Sequence, residues 1–136
     1  MTNLSNKDFQ QAFVDLYATP PSAMSDAPGR VNLIGEFTDY NDGFVLPCAL
    51  QFSTRILFSK RDDTLVNVHS TQYPGEKDSF DLANEIQPGQ SQWGNYIRAV
   101  IFVFKRAGHS LSGVDLLIDS DVPQGSGLSS SAALEV

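Results

Sequence analysis

The sequence predicts an α+β fold, in which a twisted mixed or antiparallel sheet carries helices packed on one side. Short stretches rich in β-branched and aromatic residues recur through the middle of the chain, separated by turn-forming residues. Stretches near the N-terminus and after residue 92 instead repeat apolar residues at helical spacing. With 136 residues, of which 41% are hydrophobic, the chain is long enough for one core, so residues 1–136 are predicted to form a single domain.

Three helices are predicted. The first spans residues 6–18, with Ser5 as its N-cap, and ends before Pro20 because proline cannot continue a helix. The second spans residues 93–107 and ends at a glycine. The third begins at residue 129, and the sequence stops inside it without a cap, so we expect a domain that is incomplete at its C-terminus and lacks the C-terminal portion of its own chain.

The strands are predicted to follow one another with short turns. They are residues 30–35, 44–50, 52–60, 64–70 and 113–120, with a further short strand near Phe80 inside a polar connection over 71–91. Ala27-Pro28-Gly29 and Asn41-Asp42-Gly43 are predicted to be turns. The strands between residues 44 and 70 are expected to pair as an antiparallel meander.

Charge and composition exclude several classes of partner. The chain has 9 Lys plus Arg against 16 Asp plus Glu, a net charge of −7, which gives no general attraction for nucleic acid or anionic lipid. No apolar run is long enough to span a membrane, and the first 20 residues do not resemble a secretory signal. The single Cys48 cannot form an internal disulfide. We therefore expect a cytoplasmic protein with neither nucleic-acid nor membrane partners.

Two motifs carry the chemistry. Residues 29–43, GRVNLIGEFTDYNDG, surround a short apolar strand with Arg30, Glu36 and Asp39. Residues 125–131, GSGLSSS, lie between a predicted strand and a predicted helix, an arrangement that turns backbone N–H groups toward an anion. This loop is neither a Walker A motif nor a dinucleotide fingerprint. Taken alone, it is equally compatible with a serine-rich helix cap after a glycine turn.

Together these motifs resemble those of the galactokinases, in the GHMP superfamily of small-molecule kinases. Residues 27–36 (APGRVNLIGE) with 38–41 (TDYN) resemble the galactokinase signature, and 122–125 (VPQG) with 127–132 (GLSSSA) resemble the superfamily phosphate loop. WGNY at 93–96 resembles a segment that lies between the two, where the family usually has Ala in place of Gly94. The similarity runs from about residue 27 to the end. It implies an N-terminal GHMP-kinase-type domain, similar to domain 2 of ribosomal protein S5.

The resemblance also implies an activity and its residues. Galactokinases transfer the γ-phosphoryl group of ATP to the anomeric hydroxyl of α-D-galactose. On the matching positions, Arg30 would be catalytic, Glu36 and Asp39 would accept hydrogen bonds from sugar hydroxyls, and Trp93 would lie near the adenine. Phosphate binding would fall to Gly125, Ser126, Gly127, Leu128, Ser129, Ser130 and Ser131. Mg²⁺ would arrive with ATP, and Ser130 or Ser131 would contact it.

The sequence departs from the family at one position of the sugar site. Phe37 stands where galactokinases have His, and its ring cannot make the hydrogen bond that the family's His makes to the sugar. We therefore expect a weakened or altered sugar site. The carboxylate that partners the catalytic Arg would lie beyond Val136, so the isolated chain is expected to be inactive.

Three interpretations remain open from the sequence. The first is an enzyme, either a galactokinase or a related sugar 1-kinase whose specificity Phe37 has changed. The second is a galactokinase-like regulator that binds sugar and ATP without turnover. Such regulators are recognised partly by damage to the Ser-Ala pair after the phosphate loop, and Ser131-Ala132 is intact here. The third is an anion-binding domain without a defined substrate.

Overall fold

The computed structural model describes residues 3–35, 37–38, 40–123 and 127–136. Its helices are α1 (Asn6–Tyr17), α2 (Gly94–Arg106) and α3 (Ser130–Glu135). Its strands are β1 (Ala23–Ile34), β2 (Leu46–Lys60), β3 (Leu65–Ser70), β4 (Lys77–Asp81) and β5 (Val114–Ser120). Within the described residues these strands form one sheet in the order β1-β2-β5-β3-β4, in which β3 and β5 are parallel and the other neighbours antiparallel. The predicted α+β class with a mixed sheet is confirmed.

Helix α1 forms as its sequence predicts. The Ser5 hydroxyl oxygen accepts a hydrogen bond from the Asp8 backbone N–H at 3.2 Å, which satisfies one of the unpaired amides at the helix start. Phe9 and Phe13, four residues apart, lie on one face of the helix and are completely buried against Leu57 and Leu117. The helix therefore packs on the sheet where β2 and β5 are neighbours.

Helix α2 covers the opposite face of the sheet. Its Ile97 packs in a cluster with Val66, Val68 and Ile118. Leu117 and Ile118 are consecutive in β5, and consecutive side chains of a strand point to opposite faces. The predicted placement of all helices on one side is therefore wrong. The reason is visible in β5, where an uninterrupted apolar run supplies a core to both faces.

The strand pattern differs from prediction in three further ways. Residues 44–50 and 52–60 were predicted as separate strands, but β2 continues through the exposed Gln51. The predicted meander is wrong because β5 lies between β2 and β3. The predicted turn at Ala27-Pro28-Gly29 lies inside β1, where the pairing with β2 shifts register between Pro28 and Arg30. Proline is tolerated there because β1 is an edge strand with an irregular ladder.

A polar network connects α1 to β3 and β5. The Tyr17 hydroxyl donates to the backbone oxygen of Leu116 at 2.7 Å and lies 2.9 Å from Nδ1 of His69. Burial raises the pKa of the Tyr17 hydroxyl. Burial also lowers the pKa of His69, and the positive charge of Lys77 lowers it further, while Asp115 opposes the change. The fold therefore favours the neutral form of the imidazole.

None of the helices in the described ranges is long and apolar enough to cross a membrane.

We expect the stability of the fold to fall as His69 becomes protonated. Because the folded state lowers the pKa of His69, the unfolded chain binds more protons, and the free energy of unfolding decreases as pH drops through the unfolded value of about 6.5. The free energy of unfolding in urea should therefore fall less between about pH 7.5 and about pH 5.5 for His69→Gln than for the unsubstituted protein. Equal losses in the two proteins would contradict this account.

Candidate active site

The two motifs identified in the sequence meet in the structure. The backbone N–H of Arg30 in β1 donates a hydrogen bond of 3.1 Å to the backbone oxygen of Leu128 in the serine-rich loop. Gly29, the preceding residue, is buried. A Cβ at Gly29 would lie 3.0 Å from the same Leu128 oxygen and 3.2 Å from Cγ1 of Val122. Strand β1 thus packs against the loop so closely that a side chain would not fit without movement.

The loop enters α3 through unusual backbone conformations. Gly127 has φ 74°, and Ser129, the N-cap of α3, has φ 62° and ψ 40°. A left-handed conformation costs a non-glycine residue about 1–2 kcal/mol, and such residues cluster at functional sites. The Ser129 side chain makes no capping hydrogen bond to α3. The alternative interpretation of this segment as an ordinary serine cap is therefore not supported.

Several predicted phosphate-binding residues are close to β1. Leu128 contacts the strand directly, and Ser130 and Ser131 occupy the first positions of α3, where they are half-buried. Gly125 and Ser126, which were also predicted to bind phosphate, lie outside the described residues.

The described residues of the predicted sugar site lie in β1 and in the turn that follows it. Arg30 is exposed to solvent. Phe37 is 73% exposed, and its ring centroid lies 5.6 Å from that of Tyr40. Glu36 and Asp39, the two carboxylates predicted to bind the sugar, lie outside the described residues. The backbone of Arg30 therefore lies beside the serine-rich loop, and the Phe37 ring faces solvent.

Hydrogen bonds shape the segment that follows β1. The Thr38 hydroxyl donates to the Phe44 backbone oxygen at 2.8 Å, and the Asn41 side-chain amide donates to the Phe37 backbone oxygen at 2.8 Å. Asp42 is exposed and has φ 55°, as expected for the centre of a tight turn. The predicted turn at Asn41-Asp42-Gly43 is confirmed.

A cavity of about 580 Å³ lies beside the loop on the α2 face of the sheet. Ser130 and Ser131 line it together with the aromatic rings of Trp93 and Tyr96. Trp93 also packs against the hydrophobic core, so the same side chain contributes to the core and lines the cavity. Aromatic faces suit a nucleobase, and hydroxyls at a helix start suit phosphate.

Two of the cavity residues that sequence analysis missed contact Trp93. Tyr73 and Glu76 lie in the segment 71–91 that was read only as a polar connection. The Tyr73 ring is parallel to that of Trp93, with an interplanar angle of 5° and a centroid distance of 5.7 Å. The Trp93 indole N–H donates to Oε2 of Glu76 at 3.0 Å. The available signal was Pro74-Gly75, which predicts a turn but not the residues that it faces.

Comparison with protein families first defines the class. Residues 95–136 match the family model for the N-terminal domain of GHMP kinases. A mevalonate kinase from Methanococcus jannaschii shares the fold, with a TM-score of 0.64 and 18% identity over 83% of this chain and 37% of that one. The chain therefore has the fold of the GHMP kinases.

The particular family follows from the other motif. Residues 11–60 match the galactose-binding signature of galactokinases. A galactokinase from Chloroflexus aggregans is 54% identical over 125 residues, which are 92% of this chain and 32% of the relative. The Lactococcus lactis galactokinase, solved with galactose, superposes with a TM-score of 0.85 and 36% identity over 95% of this chain and 34% of its own. The chain belongs to the galactokinase family and spans about a third of the length of these relatives.

The contact between β1 and the loop predicts that Gly29→Ala destabilises the protein by about 1–2 kcal/mol. The new methyl group would press on the Leu128 oxygen, which cannot retreat without weakening its hydrogen bond to Arg30. Urea denaturation measures the change, with Ser25→Ala at an exposed position of β1 as the matched control. A Gly29→Ala protein as stable as the control would show that the packing is looser than described.

Proposed function

We propose that this chain is the sugar- and phosphate-binding part of a galactokinase, which transfers the γ-phosphoryl group of ATP to the anomeric hydroxyl of α-D-galactose and yields galactose 1-phosphate. The observation that carries the proposal is the 3.1 Å hydrogen bond between Arg30 and Leu128, because it joins a galactokinase sugar motif to a phosphate loop. The family resemblance of both motifs supports it further.

Arg30 is the proposed catalytic residue. Its guanidinium is permanently protonated, so it can orient the sugar oxygen and offset negative charge that develops on the transferring phosphoryl group. Its backbone is hydrogen-bonded to the loop that would hold that group, so the strand and the phosphate would keep a constant spacing. Glu36 and Asp39 are the proposed acceptors for sugar hydroxyls, because an ionised carboxylate accepts a stronger hydrogen bond than a neutral oxygen does.

The cavity beside the loop is the proposed nucleotide site. Trp93 would contact the base, and residues 125–131 would surround the phosphates with backbone N–H groups and serine hydroxyls. The hydroxyl of Ser130 or Ser131 would hold the Mg²⁺ that accompanies ATP, because this ion prefers hard oxygen ligands, and the ion would offset negative charge on the phosphates. Because the reaction consumes ATP, we expect the enzyme to work in the cytoplasm.

Replacement of Arg30 tests the catalytic assignment. In the full-length enzyme that contains this chain, Arg30→Met should lower kcat about 10²–10³-fold, because a charge aimed at the transition state is lost. The KM values for galactose and ATP should change much less. A coupled assay for ADP formation measures both, with Arg106→Met at the end of α2 as the control. A rise in KM with an unchanged kcat would reassign Arg30 to simple binding.

A related sugar 1-kinase with altered specificity is a second candidate, because Phe37 presents an exposed aromatic ring where the family has a hydrogen-bonding His. Restoring that hydrogen bond by Phe37→His should lower the KM for galactose about two- to tenfold. Turnover of a panel of hexoses by the unsubstituted enzyme identifies its preferred sugar. A galactose KM that does not move would refute the role of Phe37.

A further inference from the structure

A tight turn faces the start of α2 across the cavity. The Glu76 backbone N–H donates to the Tyr73 backbone oxygen at 3.1 Å, which closes a four-residue turn. Pro74 and Gly75 occupy its centre, and Gly75 has φ 83°. Proline followed by a glycine with positive φ is typical of a type II turn. The turn brings the first and last of its residues, Tyr73 and Glu76, to the side chain of one residue immediately before α2.

That side chain is Trp93, which the turn holds at two points. Its indole N–H donates to the Glu76 carboxylate at 3.0 Å, and its ring lies parallel to the Tyr73 ring. A hydrogen bond from an N–H group to a carboxylate is charge-assisted and directional, so it restricts rotation of the indole side chain. The stacked tyrosine fixes the plane. Trp93, Tyr73 and Glu76 all line the cavity that also contains Ser130 and Ser131.

We propose that Glu76 is a positioning residue for nucleotide binding, which holds the Trp93 indole in the orientation that contacts the base. The inference rests on the proposed function, because it takes the nucleotide to occupy this cavity. A ring that is already fixed loses little freedom when a base binds to it. A Trp93 that rotated freely would have to be ordered at the moment of binding, and the affinity for the nucleotide would fall.

The proposal predicts a change in nucleotide affinity without a change in chemistry. In the full-length enzyme, Glu76→Ala should raise the KM for ATP and the Kd for ADP about three- to tenfold, in the range of one lost hydrogen bond. The kcat and the KM for galactose should stay the same. Glu76→Gln should restore most of the affinity, because its amide oxygen still accepts the indole N–H. Glu85→Ala, at an exposed acidic residue outside the cavity, is the matched control.

A double substitution separates positioning from a general structural effect. Trp93→Phe keeps an aromatic ring but removes the N–H donor, so adding Glu76→Ala to it should change ADP affinity less than twofold. Independent, additive effects of the two substitutions would overturn the proposal. So would a Glu76→Gln protein as impaired as Glu76→Ala, or a Glu76→Ala protein with unchanged ADP affinity.

Calorimetric titration with ADP distinguishes failure of this inference from failure of the proposed function. An enzyme that binds ADP with the predicted order of variants but does not phosphorylate galactose would support the role of Glu76 and reject the galactokinase assignment. An enzyme that phosphorylates galactose while its Glu76→Ala variant binds ADP normally would support the galactokinase assignment and reject the role of Glu76.

Discussion

The close packing of β1 on the serine-rich loop is the constraint on which the site depends. Gly29 leaves room for the Leu128 oxygen, and the next residue along the strand, Arg30, donates its N–H to that oxygen. A strand from the first third of the chain and a loop near its end are thereby held at hydrogen-bond distance. Phosphoryl transfer needs its acceptor and its donor in a fixed relation, and effective molarity falls quickly when that relation loosens. The glycine therefore sets the spacing, whereas the proposed mechanism assigns the charge to the arginine.

Local signals in the sequence predicted the elements better than their arrangement. The cap at Ser5, the apolar stripe of α2 and the turn at Asn41-Asp42-Gly43 each depend on a few neighbouring residues, and each is confirmed. Strand order depends on pairings between distant residues, for which a single sequence carries little signal. The insertion of β5 between β2 and β3 could not be read from spacing. The continuous apolar run of β5 indicates a strand that is buried on both faces, and this signal could have predicted helices on both sides of the sheet.

The same difference between local sequence signals and contacts of distant residues holds for the site. Arg30 and the serine-rich loop were predicted because they lie in long, ordered motifs. Tyr73 and Glu76 were missed because their contact with Trp93 exists only when the turn before β4 meets the residue that precedes α2. Trp93 itself combines core packing with cavity lining, so its helical spacing alone could not separate the two roles. Residues that position others are harder to predict than residues that touch a ligand.

A crystal structure of the full-length enzyme with galactose and a non-hydrolysable ATP analogue tests the central claim most directly. The account predicts that the anomeric oxygen of the sugar lies beside the Arg30 guanidinium, and that the terminal phosphate lies within reach of that oxygen and against residues 127–131. A sugar bound away from Arg30, or a triphosphate bound on the α1 face of the sheet, would contradict it.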